Sequence, residues 1–214
     1  MVENPRGQFV TIEGCEGVGK STNIAFIAES LKKADIPYIL TREPGGTPLA
    51  EDIRNLFLSP RSERVAENTE LLLVFAARAQ HIAEVIEPAL AAGTWVVCDR
   101  FTDATFAYQG GGRGISAAKI ASLEQWVQDD LRPDFTLLLD APIAIGMDRV
   151  SKRGELDRME REHQQFFENV RNSYLEMAAQ HGDRYRVIDA SQNLCDVQKA
   201  LSAIISEMLS HANR

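Results

Sequence analysis

The segment from Gly14 to Ser21 carries the strongest chemical signal in this sequence. It reads Gly-Cys-Glu-Gly-Val-Gly-Lys-Ser, which matches the pattern G-x-x-x-x-G-K-[ST], and it lies between a strand-like run and a helix-like one. Glycines allow successive backbone N–H groups to turn inward around an anion, and the helix that follows directs its positive end to the same point. We expect Lys20 to reach the β and γ phosphates of ATP, and Ser21 to coordinate Mg²⁺. The residues predicted to bind Mg-ATP are Gly14, Cys15, Glu16, Gly17, Val18, Gly19, Lys20, Ser21 and Thr22.

A phosphate loop by itself does not identify the reaction, because kinases, GTPases and mechanical ATPases all carry one. A glycine-rich turn that serves only packing is a further alternative, although it would not need the polar Lys20-Ser21 pair. The dipeptide Asp99-Arg100 ends a strand-like run, at the sheet edge where open α/β folds bind ligands. Asp99 suits a Mg²⁺-bound water and Arg100 suits a bidentate grip on a phosphate. A simple ion pair at the strand end remains the alternative.

A second polar segment, Thr41 to Pro48, follows another strand-like run. Pro44 favours an extended Glu43, Gly45-Gly46 permits a tight turn, and Thr47-Pro48 is typical of a helix start. Such a turn would hold Arg42 and Glu43 at the same sheet edge as Asp99. A plain turn without a ligand is the alternative.

The helix-like segment from Glu67 has an apolar stripe, and Arg78 lies at its border. Most such stripes are simply core, and a bordering arginine usually extends to water. Phe75 and Arg78 are one turn apart, so they could instead offer a planar base a stacking surface and a fork of donors. These candidates all need a scaffold that brings strand ends together.

Strand-like runs alternate with helix-length amphipathic segments, which predicts a parallel sheet with helices on both faces. The strands are predicted at Gln8 to Glu13, Tyr38 to Thr41, Trp95 to Asp99, Phe135 to Asp140 and Tyr185 to Asp189. The helices are predicted at Lys20 to Ala34, Pro48 to Leu58, Glu67 to Ala92, Ser116 to Asp130, Pro142 to Lys152, Glu160 to Gln180 and Leu194 to His211, with Pro88 as a kink or a break in the third. Gly110 to Gly114 is interpreted as a flexible turn, and the four histidines as surface residues.

The composition predicts one globular domain over residues 1–214, with 44% hydrophobic and 25% charged residues. A net charge of -8 argues against a general nucleic-acid or anionic-membrane binder. The longest strongly apolar stretch, Leu71 to Ala77, is too short to span a bilayer, and the N-terminus lacks an apolar signal core. Three scattered cysteines form neither a disulfide framework nor a metal motif. We therefore expect a cytoplasmic protein with neither nucleic acid nor membrane as partner.

The motifs above occur in an order that closely resembles the thymidylate kinase family over essentially the whole chain. Besides the phosphate loop they include Phe75-Ala76-Ala77-Arg78, Asp99-Arg100-Phe101, Ala107 to Gly114 and Arg153 to Arg158. The resemblance implies a P-loop NTPase fold of the nucleoside monophosphate kinase type, with a five-stranded parallel sheet, helices on both faces and a short lid. It also implies transfer of the γ-phosphate of Mg-ATP to dTMP, giving dTDP for dTTP biosynthesis, by an enzyme that is usually a homodimer.

The resemblance further implies roles for individual residues in the acceptor site. Arg100 and Arg42 would hold the dTMP phosphate, Phe75 would stack on thymine, and Arg78 would face a thymine carbonyl. The remaining positions matched to the dTMP site are Glu13, Glu43, Thr105, Tyr108 and Gln109, of which Glu13 lies near the sugar and the metal. The implied catalytic set is Lys20, Arg153, Arg100 and Glu13, and the metal positions are Ser21 and Asp99.

The lid is expected at about residues 149–161, where five basic residues occur in an otherwise acidic chain. Phosphoryl transfer needs positive charge on the migrating group and exclusion of water, and a closing basic segment would supply both. The chain has no arginine between Gly14 and Lys20. Another branch of the family that the chain resembles carries a catalytic arginine in this loop. The resemblance therefore implies that Arg153 acts on the transition state, with Arg158 next, and it places Arg149 on adenine. A solvated helix end is the alternative for any single residue.

Two other classes of function remain open at the level of sequence. One is a kinase for another nucleotide, or for a deoxynucleoside whose 5′-hydroxyl would accept the phosphate. The other is a non-catalytic nucleotide sensor that binds ATP and signals through a partner. The complete set of acceptor motifs disfavours the sensor.

Overall fold

A computed structural model of the chain describes residues 6–152 and 157–212, without the side chain of residue 212. Five strands form one sheet in the order β2-β3-β1-β4-β5, and every neighbouring pair is parallel. The strands are β1 (Phe9–Glu13), β2 (Tyr38–Arg42), β3 (Trp95–Asp99), β4 (Phe135–Asp140) and β5 (Tyr185–Asp189). The predicted five-stranded parallel sheet is confirmed.

Helices cover both faces of the sheet and, apart from α5, which was not predicted, agree with the predicted segments except at their ends. They are α1 (Lys20–Lys33), α2 (Pro48–Leu58), α3 (Glu67–His81), α4 (Glu87–Ala91), α5 (Thr102–Thr105), α6 (Ala117–Gln128), α7 (Ile143–Ser151), α8 (Gln164–Gln180) and α9 (Leu194–Ala212). None of the helices in the described ranges is long and apolar enough to cross a lipid bilayer.

The long helix predicted from Glu67 to Ala92 is divided near Pro88. A π-helical segment, Ile82–Ile86, joins α3 to α4, and the N–H of Glu87 bonds to the carbonyl of Ile82. Proline has no N–H to donate, so the regular hydrogen-bond ladder cannot continue unchanged through this position. The predicted break is confirmed, and its form is a π-helical turn.

The segment after β3 is helical, which corrects the interpretation of Gly110 to Gly114 as a flexible turn. Helix α5 continues directly into a second π-helical segment, Phe106–Gly112. Its glycines allow close approach to α8: a Cβ on Gly112 would lie 2.4 Å from the ring of Phe166, and one on Gly111 would lie 2.8 Å from Cβ of Ser173. The segment is glycine-rich because side chains there would collide with α8.

Strand β1 lies at the centre of the sheet, and its five residues are buried. From β1 the chain builds β2 and β3 on one side of the sheet and later β4 and β5 on the other. Connections that leave in opposite directions open a crevice beyond the carboxyl end of the central strand. The segment Gly14 to Gly19 follows β1 directly and lies at that crevice.

Candidate active site

The loop between β1 and α1 has the backbone of a phosphate-binding loop. Gly14, Gly17 and Gly19 have φ values of 135°, 71° and 89°, which favour glycine. The Nζ of Lys20 donates to the carbonyls of Gly14 (3.2 Å) and Cys15 (3.0 Å), so the loop curls around the ammonium group. Burial lowers the pKa of Lys20, and the nearby charge of Arg100 lowers it further. Burying an ammonium group without an opposite charge beside it costs free energy, so this site favours the binding of an anionic ligand.

Helix α7 packs against this loop through glycine. A Cβ on Gly146 would lie 2.3 Å from the carbonyl oxygen of Glu16, and one on Gly17 would lie 2.0 Å from the carbonyl oxygen of Gly146. Arg149 extends from the same helix and donates to the carbonyls of Gly17 (3.3 Å) and Ala190 (3.4 Å). Helix α7 therefore positions Arg149 beside the loop.

One cavity of about 550 Å³ joins the loop to the polar strand ends. Of the residues predicted for ATP and metal, it is lined by Glu16, Gly17, Gly19, Lys20, Ser21, Thr22, Asp99 and Arg149. Of those predicted for the acceptor, it is lined by Arg42, Glu43, Arg78, Arg100, Thr105, Tyr108 and Gln109. The structure thus brings the two predicted half-sites into a single space.

Arg100 lies where the two halves meet. Its guanidinium donates to the carbonyl of Gly14 (2.8 Å) and to Oε1 of Glu16 (2.7 Å), and it lies 4.8 Å from the ring centroid of Tyr108. The hydroxyl of Tyr108 also donates to Oε1 of Glu16 (3.1 Å). Arg100 has a positive φ of 71°, an unusual conformation for a non-glycine residue and one often found at functional sites.

Asp99 has a carboxylate oxygen that fits a magnesium site. Its Oδ1 is buried and has no hydrogen-bond partner among residues 6–152 and 157–212, and the residue lines the cavity together with Ser21. In the described part of the chain there is no group of three or more His, Cys, Asp or Glu that could hold a metal. Mg²⁺ at nucleotide sites commonly uses one or two protein oxygens plus phosphates and water, which these two residues could supply.

Arg54 is a cavity residue that the sequence interpretation missed. It donates to the carbonyl of Pro44 (2.8 Å), and burial lowers its pKa, with the charge of Arg42 acting in the same direction. Arg42 itself is 53% exposed and forms an ion pair with Glu51 (2.8 Å), whose hydrogen bond raises the pKa of Arg42. The helical spacing could have indicated this residue, because Arg54 follows the buried Ala50 by four residues and so lies on the inward face of α2.

Arg78 is fully buried and partly unpaired. Its Nε donates to Oε2 of Glu43 (2.7 Å) and its Nη2 donates to the hydroxyl of Thr105 (3.0 Å). Its Nη1 has no hydrogen-bond partner within the described ranges, although the residue lines the cavity. A buried donor without a partner is expensive, so this nitrogen is suited to a ligand acceptor.

His81 holds Glu43 from the other side, which corrects its assignment to the surface. The side chain is 0% exposed, its Nδ1 lies 3.0 Å from Oε1 of Glu43, and its Nε2 lies 2.6 Å from the hydroxyl of Thr41. Glu43 therefore faces Arg78 with its position fixed on both oxygens. The sequence does not indicate this contact, because Thr41 and Glu43 lie at the end of β2 and His81 lies at the end of α3, 38 residues or more further along the chain.

Phe75 is buried in the core of this structure and is not among the residues that line the cavity, so its stacking on an acceptor base stays a prediction. Its side chain packs with Leu71, Ile115 and Ile120, and the guanidinium of Arg78 covers its ring at 4.8 Å. The cavity wall is formed by the preceding residue, Val74. Successive residues of an α-helix are rotated by about 100° around its axis, so Val74 can face the cavity while Phe75 faces the core.

Glu13 is fully buried and is not among the residues that line the cavity, so its place among the ligand contacts also stays a prediction. Its Oε1 accepts from the N–H of Phe101 (2.7 Å) and its Oε2 accepts from the hydroxyl of Tyr174 (2.7 Å). Burial raises the pKa of Glu13 to about 8, and the charge of Asp103 acts in the same direction. Through Phe101, this carboxyl supports the backbone next to Arg100.

Three further residues predicted to contact ATP have side chains that are held elsewhere, so Cys15 and Val18 could contact ATP only through their backbone N–H groups. The side chains of Cys15 and Val18 belong to the core, and burial raises the pKa of the Cys15 thiol to about 12. Arg158 donates to the carbonyl of Phe57 (2.8 Å) and to Oε2 of Glu70 (2.8 Å), and so is held away from the cavity by a buried carboxylate. Arg153, predicted to act on the transition state, lies outside the described residues.

Comparison with known proteins points to one family throughout. A family model described as "Thymidylate kinase" matches residues 12–201. A thymidylate kinase from Pseudomonas syringae pv. syringae (strain B728a) is 58% identical over 203 residues, covering 95% of this chain and 97% of that protein. One from Pseudomonas fluorescens (strain SBW25) is 57% identical over 206 residues, covering 96% and 98%. The crystal structure of thymidylate kinase from Ehrlichia chaffeensis matches with a TM-score of 0.76 at 31% identity, covering 95% of this chain and all of that chain.

Proposed function

This chain belongs to the thymidylate kinase family, and on that premise we propose which of its residues bind the two substrates of the reaction. The enzyme transfers a phosphoryl group from ATP to dTMP, which gives dTDP in nucleotide biosynthesis. The observation that carries the assignment is the shared cavity, in which the phosphate loop and the acceptor residues face one space.

The donor half is the loop from Gly14 to Ser21 together with Arg149. Inward N–H groups of the loop bind the phosphates, and the ammonium of Lys20 exchanges its carbonyl contacts for the β and γ phosphates. Arg149, held beside the loop by α7, borders the adenosine. The hydroxyl of Ser21 and the unpartnered Oδ1 of Asp99 would hold Mg²⁺. When bound, this ion would neutralise charge on the phosphate oxygens.

The acceptor half uses two sets of donors. Arg100 and Arg54 bind the phosphate of dTMP, with Arg42 at the rim. Arg78 donates its unpaired Nη1 to a thymine carbonyl, and Gln109 completes the contact with the base edge. Thymine presents a carbonyl oxygen beside a ring N–H at this edge. The carbonyl accepts from the Arg78 donor, and the ring N–H donates to the amide oxygen of Gln109.

The reaction then requires little covalent chemistry from the protein. An oxygen of the dTMP phosphate attacks the γ-phosphorus of ATP, and the bond from that phosphorus to the bridging oxygen of ADP breaks. No general base is needed because the attacking oxygen is already anionic, so positioning and charge account for most of the rate. Lys20 and Arg100 supply positive charge, and Arg153 remains our proposed transition-state residue because the loop itself has no arginine.

We also infer a homodimer in the cytoplasm. Helix α3 packs against α2 and α6, and these three helices expose large apolar side chains. Trp126 on α6 is 79% exposed, Leu72 on α3 is 55% exposed, and α2 exposes Leu49 and Leu56. Exposed aromatic and aliphatic residues on adjoining helices suit the buried centre of an interface between copies.

An acceptor panel tests the function directly. The protein, ATP and Mg²⁺ are mixed with dTMP, dUMP, dCMP or thymidine, and ADP release is followed by a coupled assay. We expect dTMP to be the preferred acceptor, dUMP to be weaker by about 10- to 200-fold for lack of the methyl group, and thymidine to be inactive. A better rate with thymidine would contradict the assignment of Arg54 and Arg100 to the acceptor phosphate. ADP release that is independent of any acceptor would favour a nucleotide sensor.

A further inference from the structure

A buried carboxylate behind the cavity holds one of the acceptor residues. Glu70 on α3 is 1% exposed and accepts hydrogen bonds from Nε2 of Gln109 (2.9 Å), Nε of Arg113 (3.1 Å) and Nη1 of Arg158 (2.8 Å). Burial alone would raise the pKa of Glu70, but the hydrogen bonds from Arg113 and Gln109 outweigh it and hold the pKa below its usual value. Two arginines therefore keep this carboxylate charged and in place.

The charge on Glu70 determines how the Gln109 amide is oriented. An ionised carboxylate can only accept, so the amide must present its NH₂ end to Glu70. The carbonyl oxygen is then the end left for a ligand in the cavity, which Gln109 lines. Glu70, Val74 and Arg78 follow one another at four-residue intervals, so the same face of α3 carries the anchor, the cavity wall and the donor Nη1.

We propose that Glu70 is a positioning residue that sets base selection by fixing which end of the Gln109 amide faces the acceptor. The inference rests on the proposed function, because it concerns the base pocket assigned there. A fixed acceptor beside the Arg78 donor matches a carbonyl next to a ring N–H, as in thymine and uracil. It opposes a base that carries an amine next to an unprotonated ring nitrogen, as cytosine does. The Arg78 donor would then face the amine donor, and the Gln109 oxygen would face the lone pair of the ring nitrogen.

The test compares dTMP with 5-methyl-dCMP, which has the same shape and differs at this edge alone. In Glu70→Gln a neutral amide replaces the carboxylate, and it can either accept from Gln109 or donate to it, so both amide orientations become possible. We expect the ratio of kcat/KM for dTMP over 5-methyl-dCMP to fall by about tenfold or more, chiefly through a higher KM for dTMP. A merely structural defect would lower kcat/KM for both substrates by the same factor and leave their ratio unchanged.

Glu162→Gln is the matched control, because Glu162 forms an ion pair with the same Arg113 (2.7 Å). It should retain the wild-type ratio. In a Gln109→Ala background, Glu70→Gln should have no further effect on the ratio. A folded Glu70→Gln with a ratio within about twofold of wild type would overturn the proposal.

If Glu70→Gln fails to fold, Glu70→Asp is measured instead. This variant keeps the charge but withdraws the carboxylate by one methylene from Gln109, so the ratio should again fall. An unchanged ratio in a folded Glu70→Asp overturns the inference. Wild-type protein that does not phosphorylate dTMP would instead count against the proposed function.

Discussion

Several of the buried charged side chains line or adjoin the cavity and are paired with one another. Glu43 binds Arg78 and His81, and Glu16 binds Arg100. Removing one member of such a group leaves the other buried and uncompensated, which costs more than the bond itself is worth. A substitution that leaves every buried charge paired therefore reports on ligand binding with the least effect on stability.

Arg54 is suited to such a substitution, because its hydrogen bond goes to the carbonyl of Pro44. We expect Arg54→Met to raise the KM for dTMP by about 10- to 100-fold, since a hydrogen bond between charged groups is lost, with kcat changed far less. Steady-state kinetics at saturating ATP measure both constants. Arg64→Met is the control, because Arg64 is an exposed residue that precedes α3 and pairs with Glu67, the first residue of that helix. Equal KM values for the two variants would remove Arg54 from the acceptor site.

Glu13 gives a prediction about pH. Its pKa is raised from 4.5 to about 8 in the folded protein, so between these values the folded state holds a proton that the unfolded chain has lost. This carboxyl therefore contributes stability that is complete below about pH 4.5 and is lost as pH rises through about 8. Glutamine does not titrate, so Glu13→Gln should gain stability relative to wild type as pH rises across this window.

Urea unfolding at several pH values measures the difference between the two proteins. Glu29→Gln serves as the reference, because Glu29 is an exposed residue that pairs with Lys33 on the surface of α1. Parallel stability curves for wild type and Glu13→Gln would contradict the raised pKa.

At the scale of elements, the contact of α7 with the phosphate loop is the most constrained. Alanine is normally better than glycine inside a helix by about 1 kcal/mol. At Gly146 the added Cβ would lie 2.3 Å from the carbonyl oxygen of Glu16, so either the loop or the helix must move. We expect Gly146→Ala to destabilise the protein by about 1 to 3 kcal/mol and to raise the KM for ATP.

Thermal unfolding and ATP titration of Gly146→Ala measure these two effects. Gly182→Ala is the matched control, because within the described residues nothing lies within 4 Å of a Cβ placed there. A Gly146→Ala variant as stable and as active as Gly182→Ala would show that the loop and α7 are not in close contact.

At the scale of the whole molecule, the proposed dimer depends on the apolar surface of α2, α3 and α6. A charge at position 126 would be buried without a partner in an interface that includes Trp126, so Trp126→Glu should dissociate the protein. Light scattering after gel filtration should give about twice the 23.8 kDa chain mass for wild type and the single mass for the variant. Val187→Glu on the edge strand β5 changes an exposed apolar residue elsewhere, and should remain dimeric. A monomeric wild type would refute the dimer.

The sequence by itself determined the phosphate loop, the five strands and the segments that converge at the sheet edge. Those signals are local: the loop pattern lies between a strand and a helix, and buried parallel strands are continuous apolar runs. Once the strands are parallel, their carboxyl ends meet, so Arg42, Asp99 and Arg100 come together without further information.

The tertiary structure alone decided which side chains face the cavity. Val74 rather than Phe75 forms the wall, Glu13 lies beneath it, and Arg54 enters it, because each depends on how an element is rotated against its neighbours. A rotation of about 100° per residue exchanges the wall and core faces of a helix, and the pattern of apolar residues in α3 permits either. Likewise, Glu70 on α3 gains its partners only when the π-helical segment and the segment before α8 pack against α3, since Gln109, Arg113 and Arg158 are distant from it in sequence.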